Sequence, residues 1–362
     1  MSATTNPSRI GQANLAGGDR ELFLKVFSGM VMNTFEKELK SRSRHTVRSI
    51  TNGKSAQFPV MGRAKADYHQ VGQDILDPSN GLLSNIEHAE RVINIDDKLL
   101  AAVAISDVDE AINHYEVRAN YSNEIGYALA ERYDQAVFKV GYAAAREGAT
   151  LTRDGDRIFG GTRIFSGGAG GSIGADDKAL EIGAAFTTGV QLAEALHKAK
   201  AVFDKKNIPA QGRTAFVTAD DYALLVADQS LSFPNPVLNQ DIGGQGSYAM
   251  GSLGYVAGFE ICMTNNLPNG ADLSGTTTGD GASRNDVFGS SGSGYNGDFT
   301  NSRILCMHPS AVGTVELRGV SSQLEWQLNY QVDLMVSKYL LGHGILRPEA
   351  AIEISDGDAS AA

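Results

Sequence analysis

The sequence of 362 residues predicts an α+β protein, and three features of its hydrophobic pattern support that class. Residues 323–336 alternate between apolar and polar side chains, which is typical of a strand. Residues 117–146 carry apolar side chains at three- and four-residue steps, which is typical of a helix. Helical and strand patterns then alternate between residues 175 and 300, which indicates an α/β unit.

The strand and the helix are both longer than a compact core requires. At roughly 3.3 Å per residue, a strand over residues 323–336 would extend about 45 Å. At about 1.5 Å per residue, a helix over residues 117–146 would have nearly the same length. We therefore interpret both elements as beams of an elongated subunit and not as the floor of a pocket.

Residues 1–43 predict an N-terminal arm followed by a first helix. Residues 1–18 are polar and lack periodicity, which indicates an extended or disordered segment. Asp19 is a suitable helix cap, and apolar residues recur at helical spacing from Leu22 to Leu39.

Residues 44–105 predict a long, two-stranded projection made of two hairpins. The first hairpin joins residues 45–50 to residues 57–61 around an Asn-Gly turn signal, and the second joins residues 86–95 to residues 99–105. A ribbon of two strands is not stable alone. We therefore expect the projection to lie on another surface.

The remaining pattern predicts shorter elements. A Gly-rich spacer at residues 167–174 precedes a helix over residues 186–203, and a strand over residues 214–217 leads into a capping box that begins at Thr218. Residues 269–301 predict a long surface excursion, and residues 356–362 a frayed tail.

Charge is unevenly distributed along the chain. The net charge of −11 argues against general nucleic-acid binding, which depends on neutralising phosphates with Lys and Arg. Residues 37–65 nevertheless hold eight basic residues and one acid, a net charge of +7, which leaves −18 for the remainder. No stretch predicts a membrane span or a secretory signal, and Cys262 and Cys306 are expected to be free thiols.

The patterns that suggest enzymatic chemistry fail on their context. Gly53-Lys54-Ser55 resembles the end of a phosphate-binding loop, but Arg48 stands where that motif needs Gly. Gly292, Gly294 and Gly297 match a dinucleotide fingerprint, yet neither a preceding strand nor a following helix is predicted.

Candidate metal ligands and bases are equally isolated. Cys306 and His308 are too few for zinc, and His343 lies between Gly342 and Gly344, which predicts a turn. An acidic cluster before the long helix is better explained as helix capping than as a calcium site. We therefore predict no catalytic residue, no cofactor and no metal.

Several runs of the sequence match one known family: residues 22–27, 43–50, 53–60, 62–63, 111–118, 311–318, 338–339, 342–344 and 347–351. Through these runs the chain resembles the major capsid proteins of short-tailed, T-seven-like bacteriophages of the autographivirus type. The resemblance covers nearly the whole chain and is weakest over residues 265–300.

This resemblance implies the HK-ninety-seven-type phage capsid fold. Its parts would be the arm and first helix (1–43), the E-loop projection (44–105), a peripheral domain with a spine helix (106–174), an axial α/β domain (175–300), peripheral strands (301–350) and a C-terminal tail (351–362).

The resemblance also implies function and partners. The chain would assemble with itself, as hexamers and pentamers, into an icosahedral shell in the virion, formed in the host bacterial cytoplasm. Scaffolding and portal proteins would be its partners. The shell would enclose double-stranded DNA without sequence-specific binding and without a membrane.

The charge distribution leads to a specific assembly hypothesis. The basic start of the projection would lie across an acidic surface of a neighbouring subunit and set the register of the contact. The candidate interface residues are Arg44, Arg48, Lys54, Arg63, Asp107, Asp109, Glu110, Glu116 and Glu124. A basic face exposed to solvent is the simpler alternative.

Two other classes of protein remain open at this point. A bacterial nanocompartment shell shares the fold but encloses enzymes, and its cargo would distinguish it. An enzyme or ligand-binding protein without a sequence signature would be a stable monomer with one well-formed pocket.

Overall fold

A computed structural model confirms the α+β class. It describes residues 31–35, 39–61, 66–77, 82, 88–96, 98–106, 118–148, 160–166, 179–182, 186–227, 253–268, 271–272, 295 and 297–357. The predicted arm, the 167–174 spacer and most of the 269–301 excursion lie outside these residues.

The helices agree with the sequence-based prediction. Residues 31–35 are helical (α1), and they are followed by α2 (Arg118–Arg146), α3 (Gly189–Lys205) and α4 (Ala219–Ala227). The predicted long helix is confirmed as α2, with 29 residues. Single 3-10 turns lie at Arg42–Arg44 and Pro348–Ala350.

The described strands are listed here in chain order. They are β1 (Thr46–Ser49), β2 (Ser55–Met61), β3 (His88–Asn94), β4 (Leu99–Ser106), β5 (Thr162–Ser166), β6 (Ala179–Ile182), β7 (Thr214–Val217), β8 (Tyr255–Val256), β9 (Phe259–Met263), β10 (Ala271–Asp272), β11 (Gly297–Asp298), β12 (Ser302–Met307), β13 (Val312–Gln327), β14 (Val332–Ile345) and β15 (Ala351–Ser355).

The predicted helix start at Thr218 is confirmed, with Thr218 as the N-cap of α4. The backbone N–H of Asp221 donates to Oγ1 of Thr218 at 3.3 Å, so Thr218 satisfies one of the N–H groups that a helix start leaves without an intrahelical partner. Arg303 pairs with the carboxylate of the same Asp221, and that carboxylate is buried.

The chain divides into two units, and the larger comprises residues 40–97, 132–317 and 340–362. Its core is a seven-stranded mixed sheet with the order β6-β5-β15-β12-β7-β9-β8. The second half of α2 packs on this sheet, where the rings of Phe138 and Phe216 lie 4.8 Å apart. A Cβ on Gly141 would come within 2.7 Å of Leu305, so glycine lets the helix approach the strand closely.

A buried ion pair ties α2 to the centre of that sheet. Glu353 of β15 is 0% exposed, and its carboxylate accepts from Nε and Nη2 of Arg146 at 2.7 and 2.6 Å. Ser302 of β12 donates to the same carboxylate at 2.5 Å. The buried charge is therefore both neutralised and hydrogen-bonded, as a charge away from water must be.

The smaller unit comprises the chain up to residue 39, residues 98–131 and residues 318–339. In it, β4 pairs antiparallel with β14, from Leu99 opposite Tyr339 to Ser106 opposite Val332. The ring of Phe35 in α1 meets Tyr339 edge-on at 5.5 Å. Close packing of α1 on α2 requires glycine at Gly126, where a Cβ would lie 2.8 Å from Thr34.

The prediction of one continuous strand over residues 323–336 is wrong. Residues 328–331 form a turn that joins β13 to β14, so the segment is a hairpin. A turn of four residues preserves the phase of a two-residue period, so the alternation passes through it unbroken. Gln331 takes the left-handed conformation (φ 52°) that Gly or Asn usually occupies, and its Nε2 donates to the Leu328 carbonyl at 2.9 Å.

The predicted strands within residues 44–105 exist, but their predicted pairing is wrong. β1 pairs parallel with residues 313–316 of β13, and β2 pairs antiparallel with β3. β4 pairs with β14 instead of β3. Each strand found a partner distant in sequence, which short-range turn signals cannot reveal. The predicted domain boundaries stay predictions.

The buried ion pair gives a stability prediction. Arg146→Met should lower the free energy of unfolding by about 3–5 kcal/mol, because it leaves the Glu353 carboxylate buried without its cation. Urea denaturation monitored by circular dichroism would measure the change. Lys198→Met is the matched control, since it breaks an ion pair with the 55%-exposed Glu194 and should cost about 0.5 kcal/mol or less. Equal effects of the two variants would contradict the prediction.

Candidate assembly interface

The antiparallel pair β2–β3 forms a two-stranded sheet of its own, and we call it the ribbon. Its register runs from Ser55 opposite Asn94 at one end, the base, to Met61 opposite His88 at the other end, the tip. The base is fastened by a small apolar core, which consists of Ala56, Ile93, Val315 and Leu346, with Ile50, Phe58 and Ile95 packed against it.

The ribbon base lies directly on the backbone of β14 and β13 at three glycines, which we call the seat. A Cβ on Gly342 would come 2.0 Å from the carbonyl oxygen of Asn94. A Cβ on Gly344 would lie 2.7 Å from Cγ1 of Ile93, and one on Gly313 would lie 3.0 Å from Cδ1 of Ile93. Any side chain at Gly342 would therefore displace the ribbon backbone itself.

Hydrogen bonds hold the chain as it leaves the ribbon base. The N–H of Asp96 donates to the Leu341 carbonyl at 3.0 Å. The hydroxyl of Tyr295 donates to Oδ2 of Asp96 at 2.5 Å and accepts from the N–H of His343 at 2.9 Å. Burial, followed by the neighbouring Asp96 carboxylate, raises the pKa of Tyr295 well above its ordinary value, so the phenol remains a donor.

Two buried histidines share one hydroxyl beside the seat, and we call this arrangement the histidine bridge. Oγ1 of Thr314 lies 2.9 Å from Nε2 of His45 and 2.7 Å from Nδ1 of His343. His45 directs Nδ1 at the Ser41 carbonyl at 2.7 Å, and a carbonyl only accepts, so Nδ1 carries the hydrogen and Nε2 is the acceptor. The hydroxyls of Thr314 and Tyr133 both lie within hydrogen-bond distance of this acceptor nitrogen.

Both imidazoles are neutral at neutral pH. Burial lowers the pKa of His45 to about 4 and holds the pKa of His343 well below its ordinary value. Nε2 of His343 is buried without a hydrogen-bond partner. The predicted turn at His343 is wrong, because this residue lies inside β14.

The segment that precedes β1 is fixed to α2. The Asp134 carboxylate accepts from the N–H of Lys40 at 3.0 Å and from the hydroxyl of Ser41 at 2.6 Å. Burial is the largest influence on the pKa of Asp134 and raises it, although these hydrogen bonds oppose the shift. Tyr133, the preceding residue, places its hydroxyl 3.1 Å from Nε2 of His45.

Part of the basic segment forms ion pairs within the subunit. Nη2 of Arg44 lies 2.6 Å from Oε1 of Glu260, and its Nη1 donates to the Lys40 carbonyl at 2.8 Å. Arg42 pairs with Glu316 of β13 at 3.2 Å. Arg44 was a candidate interface residue, but its guanidinium therefore already has a carboxylate partner.

Other candidates point into solvent. Arg48 is exposed, donates to the Gln57 carbonyl at 3.1 Å and lies 5.5 Å from the centre of the Phe58 ring. Lys54 and Glu124 are exposed, and within the described residues neither forms an ion pair. Five further candidates lie outside the described residues: Arg63, Asp107, Asp109, Glu110 and Glu116.

Large apolar side chains are exposed along and beyond the ribbon. Met61 at the tip is 66% exposed, and in the loop that the structure describes over residues 66–77, Tyr68 and Val71 are fully exposed and Leu76 is 74% exposed. Local bonds shape this loop, such as that from the N–H of Leu76 to Asp74 at 2.9 Å. An apolar surface of this kind is typical of a protein–protein contact.

The described part of the chain contains two cysteines and other residue types that can bind metals. Among those residues, no group of three or more His, Cys, Asp or Glu side chains could hold a metal ion. Both cysteines are free and buried, and burial raises the pKa of each thiol. None of the described helices is both long and apolar enough to cross a membrane.

Solved structures with the same architecture define the class of protein. The chain is 34% identical to the capsid protein of cyanophage P-SCSP1u, with a TM-score of 0.65, covering 98% of this chain and 100% of that one. It also has the fold of the bacteriophage PhiM1 mature capsid, with 16% identity, a TM-score of 0.62 and coverage of 88% and 87%. The chain therefore has the HK-ninety-seven-type fold of phage capsid proteins.

The sequence comparison gives the family. The chain is 34% identical over 344 residues to the major capsid protein of Escherichia phage T7, covering 94% of each chain. Residues 57–355 match the family described as Gp10A-like: Major capsid protein. The chain belongs to this family of tailed-phage major capsid proteins, which confirms the resemblance noted in the sequence.

Sequence reasoning missed the roles of several residues beside the seat. Thr314 was noted only within the run 311–318 that resembles the family, Asp96 only in the turn of the second predicted hairpin, and Tyr295 only as part of the 269–301 excursion. The Gly342-His343-Gly344 run was recognised only through its resemblance to the family. Two glycines spaced by two within a strand place both missing side chains on one face, which can indicate a close backbone approach.

The seat gives a prediction about the ribbon. Gly342→Ala should displace Asn94 and lower the free energy of unfolding by about 1–3 kcal/mol, with faster hydrogen exchange at the Ile95 amide, which donates to the Lys54 carbonyl. Gly319→Ala is the control, because a Cβ at Gly319 meets nothing within 4 Å. That control should leave exchange at Ile95 unchanged. Wild-type protection of Ile95 in Gly342→Ala would contradict the close contact.

Proposed function

We propose that this chain assembles with copies of itself, as hexamers and pentamers, into the icosahedral shell of a tailed phage and encloses its double-stranded DNA. Membership of the major capsid protein family over residues 57–355 carries this proposal. This family membership favours a phage shell over the shell of a bacterial nanocompartment. Negative-stain imaging of the protein, expressed with and without its phage's scaffolding protein, tests it: closed particles support it, and subunits that never form particles overturn it.

The ribbon is the element that we assign to contacts between subunits. Its base is bound within its own subunit by the seat and the apolar core. Its tip and the loop over residues 66–77 expose apolar side chains to water. Burying such area on a neighbour contributes about 25 cal/mol per Å². Each contact can be modest, because a closed shell repeats it many times.

We assign the orientation of that contact to charge. Arg48, Lys54 and Arg63 of one copy would face acids at the start of α2 in a neighbour, where Glu124 is exposed. The other acidic candidates are Asp107, Asp109, Glu110 and Glu116. Arg44 would act within its own subunit, through Glu260. Complementary charge of this kind mainly sets register and encounter rate.

The acidic remainder of the chain suits a container for DNA. A wall that binds phosphate weakly does not hinder packaging or ejection of the genome, and the net charge of −11 favours weak binding. We assign scaffolding and portal proteins as assembly partners and the host bacterial cytoplasm as the place of assembly. A tight DNA–shell association that persists at high salt would contradict weak binding of DNA by the shell.

Charge reversal tests the electrostatic pairing. Arg48→Glu combined with Arg63→Glu should reduce the yield of closed particles, while the unfolding midpoint of the subunit stays close to the wild-type value, because Arg48 is exposed. Sedimentation and negative-stain imaging would measure the yield. Adding Glu124→Arg should partly restore particles, since it restores opposite charges across the contact.

Lys200→Glu is the control for charge reversal at a single exposed site, because Lys200 is exposed on α3 and lies outside residues 37–65 in the sequence. It should assemble like the wild type. Normal particle yield from the Arg48→Glu, Arg63→Glu variant would leave the basic segment as a solvent-exposed face.

Polar substitution tests the apolar loop. Val71→Ser combined with Leu76→Ser should leave subunit stability within about 0.5 kcal/mol of wild type, because both side chains are exposed in the subunit. It should nevertheless lower particle yield, because the neighbour would gain no apolar burial. Particle yield and urea denaturation would be measured on the same preparations. A change in stability with unchanged yield would contradict the assignment.

A further inference from the structure

The histidine bridge can hold only a limited number of protons. Thr314 has one hydroxyl hydrogen, and the two imidazole nitrogens within reach of it are Nε2 of His45 and Nδ1 of His343. One added proton can be accommodated. With that proton on Nε2, His45 donates to the Thr314 hydroxyl, and Thr314 donates to Nδ1 of His343. A second proton places N–H donors on both sides of Thr314, so neither imidazole can accept from its hydroxyl and Nε2 of His45 can no longer accept from Tyr133.

The surroundings of the bridge offer no counter-charge in hydrogen-bond contact. Within the described residues, His45 meets Ser41, Thr314 and Tyr133, and His343 meets Thr314 and Tyr295. Arg42 opposes protonation of His45, and His45 opposes protonation of His343.

The nearest acids have other partners. Asp96 accepts from Tyr295, Asp134 accepts from Ser41, and Glu316 pairs with Arg42. A proton on the bridge therefore creates a buried charge with no carboxylate bonded to it, which folded proteins tolerate poorly.

The bridge is joined directly to the seat. His343 lies between Gly342 and Gly344, on which the ribbon base rests. Its backbone N–H donates to Tyr295, and Tyr295 holds Asp96 at the end of the ribbon. A rearrangement of His343 would thus shift the surface that supports Asn94 and Asp96.

We propose that the histidine bridge is an acid-sensitive lock beneath the ribbon: it holds the ribbon base on its seat while both imidazoles are neutral, and releases it when they take up protons. This inference rests on the proposed function. In an assembled shell, release of the ribbon in mild acid would weaken the contacts between subunits. The lock belongs to each subunit and operates before assembly as well as after it.

The sign of the pH dependence follows from burial. With the ribbon seated, the pKa of His45 is about 4, whereas an exposed histidine has 6.5. Between these values the released state binds more protons than the seated state. The contribution of His45 is therefore fully present above pH 6.5 and is lost as the pH falls from 6.5 to about 4, and burial of His343 acts in the same direction.

Hydrogen exchange at the ribbon base tests the lock in unassembled subunits and in particles. Corrected for intrinsic rates, protection of the Ile95 amide in the wild type should fall on the order of 100-fold between neutral pH and pH about 4. His45→Gln combined with His343→Gln should lose most of this dependence, because Gln keeps a polar side chain but does not titrate. The control His197→Gln, an exposed histidine on α3, should retain it.

The outcomes separate the lock from the function. If particles form at neutral pH but hydrogen-exchange protection at the ribbon base does not depend on pH, the lock is overturned and the proposed function is not. Absence of particles under all conditions overturns the proposed function, while exchange in the subunit still decides the lock. If the double variant does not fold, NMR titration of wild-type histidines decides: His45 neutral down to pH about 4 supports the lock, and titration near 6.5 overturns it.

Discussion

The contact of one backbone with another at Gly342 is the constraint on which the ribbon and its surroundings depend. With the Asn94 carbonyl 2.0 Å from the position that a Cβ would occupy, β14 must carry glycine there. This approach lets Ile93 enter the core with Val315 and Leu346, and it brings Asp96 within reach of Tyr295 and the Leu341 carbonyl. The histidine bridge adjoins this contact, because His343 follows Gly342 directly in β14.

Features set by local sequence were predictable. α2, β7 and the Thr218 N-cap depend on periodicity or on residues within a few positions, and the structure confirms them. Strand pairing was not predictable, because β1 and β4 pair with residues more than 200 positions away. An Asn-Gly signal at residues 52–53 favours a local hairpin, but long-range packing of the ribbon base prevails over it.

The candidate site was predictable only in part. Composition identified the basic segment and its exposed members, Arg48 and Lys54, but it could not show that Arg44 is paired with Glu260, 216 positions away. The sequence also gave no reason to connect His45 with His343, since two histidines meet through Thr314 only once three strands are in place. Interfaces that depend on tertiary structure need the fold before their residues can be assigned.

The position of β15 has a consequence for synthesis. It lies inside the seven-stranded sheet, between β12 and β5, although it is the last of the described strands to be translated. The central sheet of a nascent chain therefore stays incomplete until residues 351–355 have been synthesised. The ion pair between Arg146 and Glu353 cannot form before then. A chain that stops before β15 would lack a central strand of the sheet and the carboxylate that pairs with Arg146.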